Sequence, residues 1–401
     1  MGPDTRPALL FYCQHALGIG HLVRSLALAA ALAERFRVVL LNGGRLPECV
    51  EPPPGIELID LPSLGLDLNM QLVSHADVTV PNAQRARQRM ILDAYQRVCP
   101  AVLLIELFPF GRKKFARELL PLLEEARKTI APPLVACSLR DILVSRKQTD
   151  DDTAVERANQ YFDTILVHAD PTFARLEESF HPQTLLRVPV QYTGFVSPEQ
   201  KSGPAASHER KNRVVVSAGG GLVGEPLLRA AIEAHPFLHE TEGIEMKVIA
   251  GPFLPEAAWQ RLCEMAKGKA SLQLIRSVPD VYAELSQATA SVSQCGYNTA
   301  IDVLRSGVSA LVVPFDQGSE TEQMNRARRL EHLGLLRVLK QDELTAQRLA
   351  EEVRSLLLFK PKPAELDLNG AKNATRIIEE LLRHHSGPRT SAHFRRVMSA
   401  Q

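Results

Sequence analysis

The chain has 401 residues, 45% of them hydrophobic and 23% charged, which suits two domains of about 150–200 residues better than one. Its 47 Lys and Arg balance 46 Asp and Glu, so it lacks the positive field with which a general nucleic-acid binder attracts phosphates. The six cysteines form no C-x-x-C pair and no zinc-spaced Cys/His cluster, so free thiols in a reducing, cytoplasmic setting are expected.

The first residues, MGPDTRPALLFYC, lack the charged-then-apolar layout of a signal peptide, and no apolar run approaches the ~20 residues that span a bilayer. ALLFYC (8–13) reads as a strand and is followed by a glycine-containing turn and an amphipathic helix over 21–36. RVVLLNG (37–43), AVLLIEL (101–107), PLVACSL (133–139) and TILVHA (164–169) are further short, continuously apolar runs, the pattern of strands buried on both faces. A helix is expected over 112–130. Near residue 196 the pattern breaks. SPEQKSGPAASHERKN (197–212) is polar and rich in Pro, Ser and Gly, and reads as a linker. A second series follows: RVVVSAGG (213–220), MKVIAG (246–251), LQLIRS (272–277), ASVSQC (290–295) and ALVVPF (310–315). The expected fold class is α/β, with two Rossmann-like parallel-sheet domains facing across a cleft. They span 1–196 and 213–385, and 386–401 is a weakly periodic tail. Such sheets bind ligands beyond the carboxyl ends of their strands, so motifs just after strands carry the functional expectation.

Three such motifs stand out. In QHALGIGHLVRSLALA (14–29), Gly18 and Gly20 let a ligand approach the backbone, and His21 begins the helix. A helix N-terminus disfavours imidazolium, which suits a neutral, proton-accepting His21. A plain strand–helix turn explains the glycines too, and Val23 replaces the third glycine of a dinucleotide fingerprint. Gly219, Gly220 and Gly221, after the first strand of the second series, suit either a diphosphate on backbone amides or a flexible turn. In SQCGYNTAIDVL (293–304), Thr299 and Asp302 have the spacing of a capping box, which explains neither Gln294 nor Gly296-Tyr297-Asn298. Twenty residues on, Glu322 and Gln323 open another helix, as an acid–amide pair that can hold sugar hydroxyls or lie solvated. Asp150-Asp151-Asp152, in KQTDDDT, reads as a solvated acidic loop, and no metal site is expected. GRKKFARELLPLLEEARK (111–128) is basic at its start and then amphipathic. It suits an anionic lipid or phosphate-bearing acceptor, or simply a solvated helix face.

Together these residues resemble the nucleotide-sugar glycosyltransferases of the GT-B fold. QCGYNTAID is similar to the H-C-G-W-N-S-x-x-E signature of plant and animal UDP-glycosyltransferases, with Gln294, Tyr297, Thr299 and Asp302 in place of His, Trp, Ser and Glu. EQMNRA (322–327) resembles the D-Q-x-x-N-A that follows it. The same region is similar to the bacterial N-acetylglucosaminyltransferases that complete the lipid-linked peptidoglycan precursor. GIGHLVRSLALA resembles their G-G-H loop. With Arg24, it also resembles the G-x-G-H-x-x-R-x-L-x-L-A of the UDP-sugar hydrolases of pseudaminic acid synthesis.

The resemblance implies an inverting transferase that moves a sugar from a UDP-activated donor to an acceptor hydroxyl, with no metal or other cofactor. Uracil would rest near Ser277-Val278, and Asp302 would take the ribose hydroxyls. Gln294, Gly296, Asn298 and Thr299 would hold the diphosphate with Gly219–Gly221, opposite Gly18 and Gly20. Glu322 and Gln323 would read the sugar. His21 would be the general base. By position, Glu106 at the end of AVLLIEL is the candidate to orient its imidazole, or else an exposed strand-end acid, with Asp141 in SLRDIL the alternative orienter. Gln294 is neutral where relatives carry His, and Asp302 is one methylene shorter than Glu. The implied partners are a nucleotide-sugar donor and an acceptor that is lipid-linked or a small molecule. Peripheral contact with the inner face of a membrane follows from the first kind of acceptor. Two other readings stay open: a UDP-sugar hydrolase, supported by His21 to Arg24, and an inactive sugar-nucleotide-binding protein, marked by Gln294.

Overall fold

The computed structural model describes residues 4–15, 19–47, 50–67, 71–144, 147–198, 210–316 and 321–385. The expected tail 386–401, Gly18 and most of the expected linker lie outside them. In chain order the first domain holds β1 (Ala8–Cys13), α1 (Gly20–Leu32), β2 (Arg37–Asn42), β3 (Ile56–Asp60), the hairpin β4 (Leu64–Leu66) and β5 (Leu72–Ser74), α2 (Val80–Val98), β6 (Val102–Glu106), α3 (Ala116–Lys128), β7 (Leu134–Arg140), α4 (Gln148–Tyr161), β8 (Thr164–His168) and β9 (Val190–Tyr192). Seven of these strands form one sheet in the order β3-β2-β1-β6-β7-β8-β9, parallel throughout.

The apolar runs became strands for the expected reason. Along β1, Leu10 and Tyr12 enter the core on one face while Leu9, Phe11 and Cys13 enter the core on the other. Three parallel edge elements escape the apolar-run criterion, because β3, β9 and, in the second domain, β15 (Arg337–Val338) are short or partly exposed.

The second domain holds β10 (Lys211–Ser217), α5 (Glu225–Glu242), β11 (Glu245–Ile249), α6 (Glu256–Ala266), β12 (Leu272–Ile275), α7 (Val281–Gln287), β13 (Ala288–Ser293), α8 (Tyr297–Ser306), β14 (Ser309–Val312), α9 (Glu322–His332), β15 (Arg337–Val338) and α10 (Ala346–Leu357). Its parallel sheet runs β12-β11-β10-β13-β14-β15. Each sheet changes winding direction once, between β1 and β6 and between β10 and β13. These are the switch points at which open α/β sheets take ligands.

Three expectations need correction. The linker ends at residue 210, because Lys211 and Asn212 already belong to β10. The range 213–385 is too long for the second domain. The last helix, α11 (Gly370–His384), buries Ala371, Ala374, Ile377 and Ile378 in the first domain's core beside α1. An amphipathic helix carries an apolar face but no address for it, which is why the sequence alone placed it with its neighbours. Asp150–Asp152 are not loop residues but lie in the first turn and a half of α4, where acids complement the helix dipole. Asp150 pairs with Lys113 at 2.5 Å, and Asp152 Oδ1 accepts from the amides of Gln183 and Thr184, both at 2.7 Å.

Candidate active site

The first half of the site forms where β1 and β6 end side by side. The α1 helix starts with Ile19 at its N-cap and no side-chain cap, so its first-turn amides stay open toward the cleft. His21 is the second residue of that turn. Its Nδ1 contacts Oε1 of Glu106, the last residue of β6. The same oxygen accepts from Arg24 Nη2 at 2.8 Å, and Oε2 faces Arg112 Nη2 at 3.4 Å.

Burial alone would raise the Glu106 carboxyl, but His21, Arg112 and Arg24 against it hold it well below the usual carboxylate range. Burial pushes His21 well below its ordinary value. Glu106 pulls the other way, and the two guanidiniums reinforce burial, so the imidazole is neutral near pH 7. The nitrogen facing a carboxylate carries the ring proton, which leaves Nε2 as the acceptor, without a partner among the described residues. Arg112 reaches Glu106 from a tight turn. Leu107 and Arg112 take φ of +63° and +58°, left-handed backbone that costs roughly 1–2 kcal/mol each in non-glycine residues. A Cβ on Gly111 would come within 2.7 Å of the Leu107 side chain.

The second half forms where β10 and β13 end. Gly221, at φ +91°, is demanded by packing: a Cβ there would lie 2.5 Å from Ala250 O. Gly219, at φ +58°, instead faces α8, where its Cβ would stand 3.8 Å from Thr299 Oγ1. Gln294 links β13 to this glycine loop, its amide 3.3 Å from Ser217 O and its Nε2 3.4 Å from Val223 O. Gly220 lies between the two, its carbonyl accepting from Phe253 N at 2.9 Å.

The capping-box expectation for Thr299 and Asp302 does not hold. Gly296 is the N-cap, α8 begins at Tyr297, and no side chain caps it. The open first-turn amides of α8 therefore match those of α1 across the cleft, where Asn298 Nδ2 donates to Gly20 O at 2.9 Å. Asp302 has no hydrogen-bond or ion-pair partner among the described residues. Burial raises its carboxyl to about 7 against the pull of Arg305. Ser277 and Val278 lie in the loop between β12 and α7, with Val278 packed on the interdomain core.

Glu322 and Gln323 do open a helix, α9, but their groups are held by protein. Glu322 forms an ion pair with Arg140 at the end of β7. Gln323 Oε1 accepts from the amides of Cys295 and Phe315, both at 3.1 Å. Asp141, the alternative orienter, is engaged elsewhere: Arg326 of α9 binds it in a buried fork at 2.7 and 2.8 Å.

The two halves are joined by contacts that motif reading did not reach. Tyr297 donates from its hydroxyl to His168 O at 3.0 Å and accepts from Val196 N at 2.8 Å. Arg24 and Arg326 both lie over its ring. The only signal for Arg326 was a charge one helical turn after Glu322, on the stripe where Ala327 and Leu330 are buried.

Two doubly wound sheets with their switch points face to face define the class: the chain has the GT-B fold of the nucleotide-sugar glycosyltransferases. More particularly, residues 214–381 match the glycosyltransferase family 28 C-terminal domain. CalG4, the calicheamicin glycosyltransferase, superposes with a TM-score of 0.55 over 96% of each chain at 17% identity. MurG of Acinetobacter baumannii superposes with a TM-score of 0.55 over 94% of this chain and 100% of its own, at 16% identity. In sequence the chain is 22% identical over 241 residues to the UDP-N-acetylglucosamine–N-acetylmuramyl-(pentapeptide) pyrophosphoryl-undecaprenol N-acetylglucosamine transferase of Thermotoga petrophila, covering 60% of this chain and 63% of that protein. It is 25% identical over 197 residues to the enzyme of the same name from a Geobacter species, covering 48% and 51%. The matches thus span between half and two-thirds of those relatives' length. No helix among the described residues is long and apolar enough to cross a membrane.

Proposed function

We propose that this chain is an inverting glycosyltransferase that moves a sugar from a UDP-activated donor to an acceptor hydroxyl. The observation that carries the reading is the contact of His21 Nδ1 with Glu106 at one switch point, opposite the uncapped start of α8 at the other. In this reading Nε2 of the neutral His21 takes the acceptor's proton as its oxygen attacks the anomeric carbon. Glu106 fixes the tautomer and stabilises the imidazolium that forms. The departing diphosphate gains its negative charge against the open first-turn amides of α8 and the amide of Gly220, while those of Gly219 and Gly221 shape the loop by donating to Ser217 Oγ and Ala218 O. Gln294 supports the glycine loop and brings no charge of its own. Glu106, Arg24 and Arg112 leave the surroundings of His21 with a net positive charge, which keeps the base unprotonated until attack.

The relatives named above support a nucleotide-sugar donor, and those from Thermotoga petrophila and Geobacter act on a pyrophosphoryl-undecaprenol acceptor. For this chain, a lipid-linked acceptor and peripheral membrane contact belong to the same proposal, with a small-molecule acceptor the alternative. All these relatives are transferases, and the hydrolase reading draws no support from them.

The test is turnover of UDP-sugars with and without acceptor hydroxyls. His21→Ala should reduce transfer by about 10²–10⁴-fold while UDP affinity stays within a factor of a few. Wild-type turnover in that variant would remove His21 as the base. Sugar release that needs no acceptor would favour hydrolysis.

A further inference from the structure

Arg24 stands three residues after His21 on α1, so the two side chains share one helix face. Its side chain is 2% exposed. Nη2 donates to the Glu106 oxygen that His21 Nδ1 also contacts, and lies 3.1 Å from Nδ1 itself. Two donors therefore converge on one carboxylate oxygen. The guanidinium carbon lies 5.1 Å from the centroid of the Tyr297 ring, which belongs to the second domain. Nε has no partner among the described residues.

This is a poor design for stability alone. Arg87, a buried arginine of the same domain, bonds Glu118, Gln14, Gly43, Pro62 and Tyr12. Arg24 has one carboxylate, one aromatic face and an unsatisfied nitrogen. An unsatisfied buried donor is tolerated where it serves position.

We infer that Arg24 is a positioning residue for His21 and Glu106. It keeps the imidazole with Nδ1–H on Glu106 and Nε2 free, and Tyr297 stacked on its guanidinium ties that arrangement to closure of the two domains. The inference rests on the reading of His21 as the base. The surrounding charged and titratable groups come from several elements. They are Cys13 and His15 at and after the end of β1, Glu106 and Arg112 at and after the end of β6, Arg140 and Asp141 from β7 onward, and His168 ending β8. From the second domain come Tyr297 on α8 and Glu322 and Arg326 on α9. Of the cations among the described residues, Arg24 alone contacts both members of the pair.

The test is a nuclear magnetic resonance titration of the full chain with isotope-labelled histidine, from pH 4 to 8, with the His21 ring assigned through its loss in His21→Gln. The wild type should hold His21 neutral, protonated on Nδ1, across most of this range. Arg24→Gln removes a cation beside the ring and should raise the His21 midpoint by at least one pH unit and mix the tautomers. Arg24→Lys restores the charge and should recover much of the wild-type titration; it also serves if the glutamine variant does not fold. Tyr297→Leu, with Arg24 intact, should shift His21 in the same direction by less. A folded Arg24→Gln protein that titrates as wild type overturns the inference, as does Arg24→Lys titrating like the glutamine variant. An unmoved Tyr297→Leu overturns the link to closure. Failure of the base reading shows separately, as turnover by His21→Ala.

Discussion

Asp302 is a carboxylate taken largely out of water and given no hydrogen-bond donor among the described residues. Such a group awaits a partner or stays protonated. If Asp302 takes the ribose hydroxyls, as the resemblance implies, its raised value of about 7 makes that contact pH-dependent. Asp302→Ala should weaken uridine binding by about 1.5–3 kcal/mol, roughly ten- to 150-fold in Kd, without loss of fold stability, since Asp302 caps nothing. In the wild type, uridine affinity should fall as pH drops below 7, and isothermal titration of Asp302→Asn should show that slope flattened. A variant that unfolds at lower denaturant would restore the capping role that the start of α8 denies. At this scale the sequence showed His21 and Glu106, because each follows or ends an apolar strand and strand ends converge. It could not show Arg24 stacking on Tyr297 or Arg326 seeking Asp141, because these partners are 273 and 185 positions apart and no local pattern links them.

Among the elements, α2 and α3 owe their seat on β1 to a buried polar knot. Arg87 of α2 forks onto Glu118 of α3 at 2.6 and 2.8 Å, and Tyr12 of β1 donates to Glu118 at 2.6 Å. Removing one partner leaves a bare charge under the sheet. Glu118→Ala should therefore cost about 3–5 kcal/mol in urea unfolding, and Arg87→Met with Glu118→Leu should cost less than that single change. Additive losses would mean the two residues act separately. The strands were legible because parallel sheets covered on both sides demand unbroken apolar runs, as in ALLFYC. The half-exposed edges were not, because IELID alternates weakly and VQY is three residues long. The capping box was misread because Thr299 and Asp302 have its spacing, whereas the N-cap is Gly296, three residues before Thr299.

Over the whole molecule, burial holds His15, His21 and His168 below their ordinary value, His15 at about 4 and His168 at about 3. The unfolded chain protonates these rings as pH falls through about 6.5, and the folded chain does not. The unfolded state then binds more protons, so their contribution is complete above pH 6.5 and declines below it. Asp302, raised to about 7 from 3.8, opposes this between those values by giving the folded state the extra proton. The histidines outnumber it, so stability should fall by on the order of 2–3 kcal/mol per pH unit between pH 6 and 4. Urea midpoints that stay flat from pH 7 to 4.5 would contradict this.

The return of α11 to the first domain carries a mechanical consequence. The chain crosses between domains twice, and the crossings run side by side. Phe195 N donates to Asp367 O at 2.7 Å, Gly370 N to Phe195 O at 2.9 Å, and Asn373 Nδ2 to Thr193 O at 2.8 Å. A Cβ on Gly370 would lie 2.3 Å from Gly194 O, so the two strands of the crossing touch backbone to backbone. A single tether lets two bodies swivel in any direction. A stitched pair behaves as the pin of a door, so any parting of the sheets is confined to rotation about one line, and His21 must approach Gly219 and Asn298 along the same arc each time.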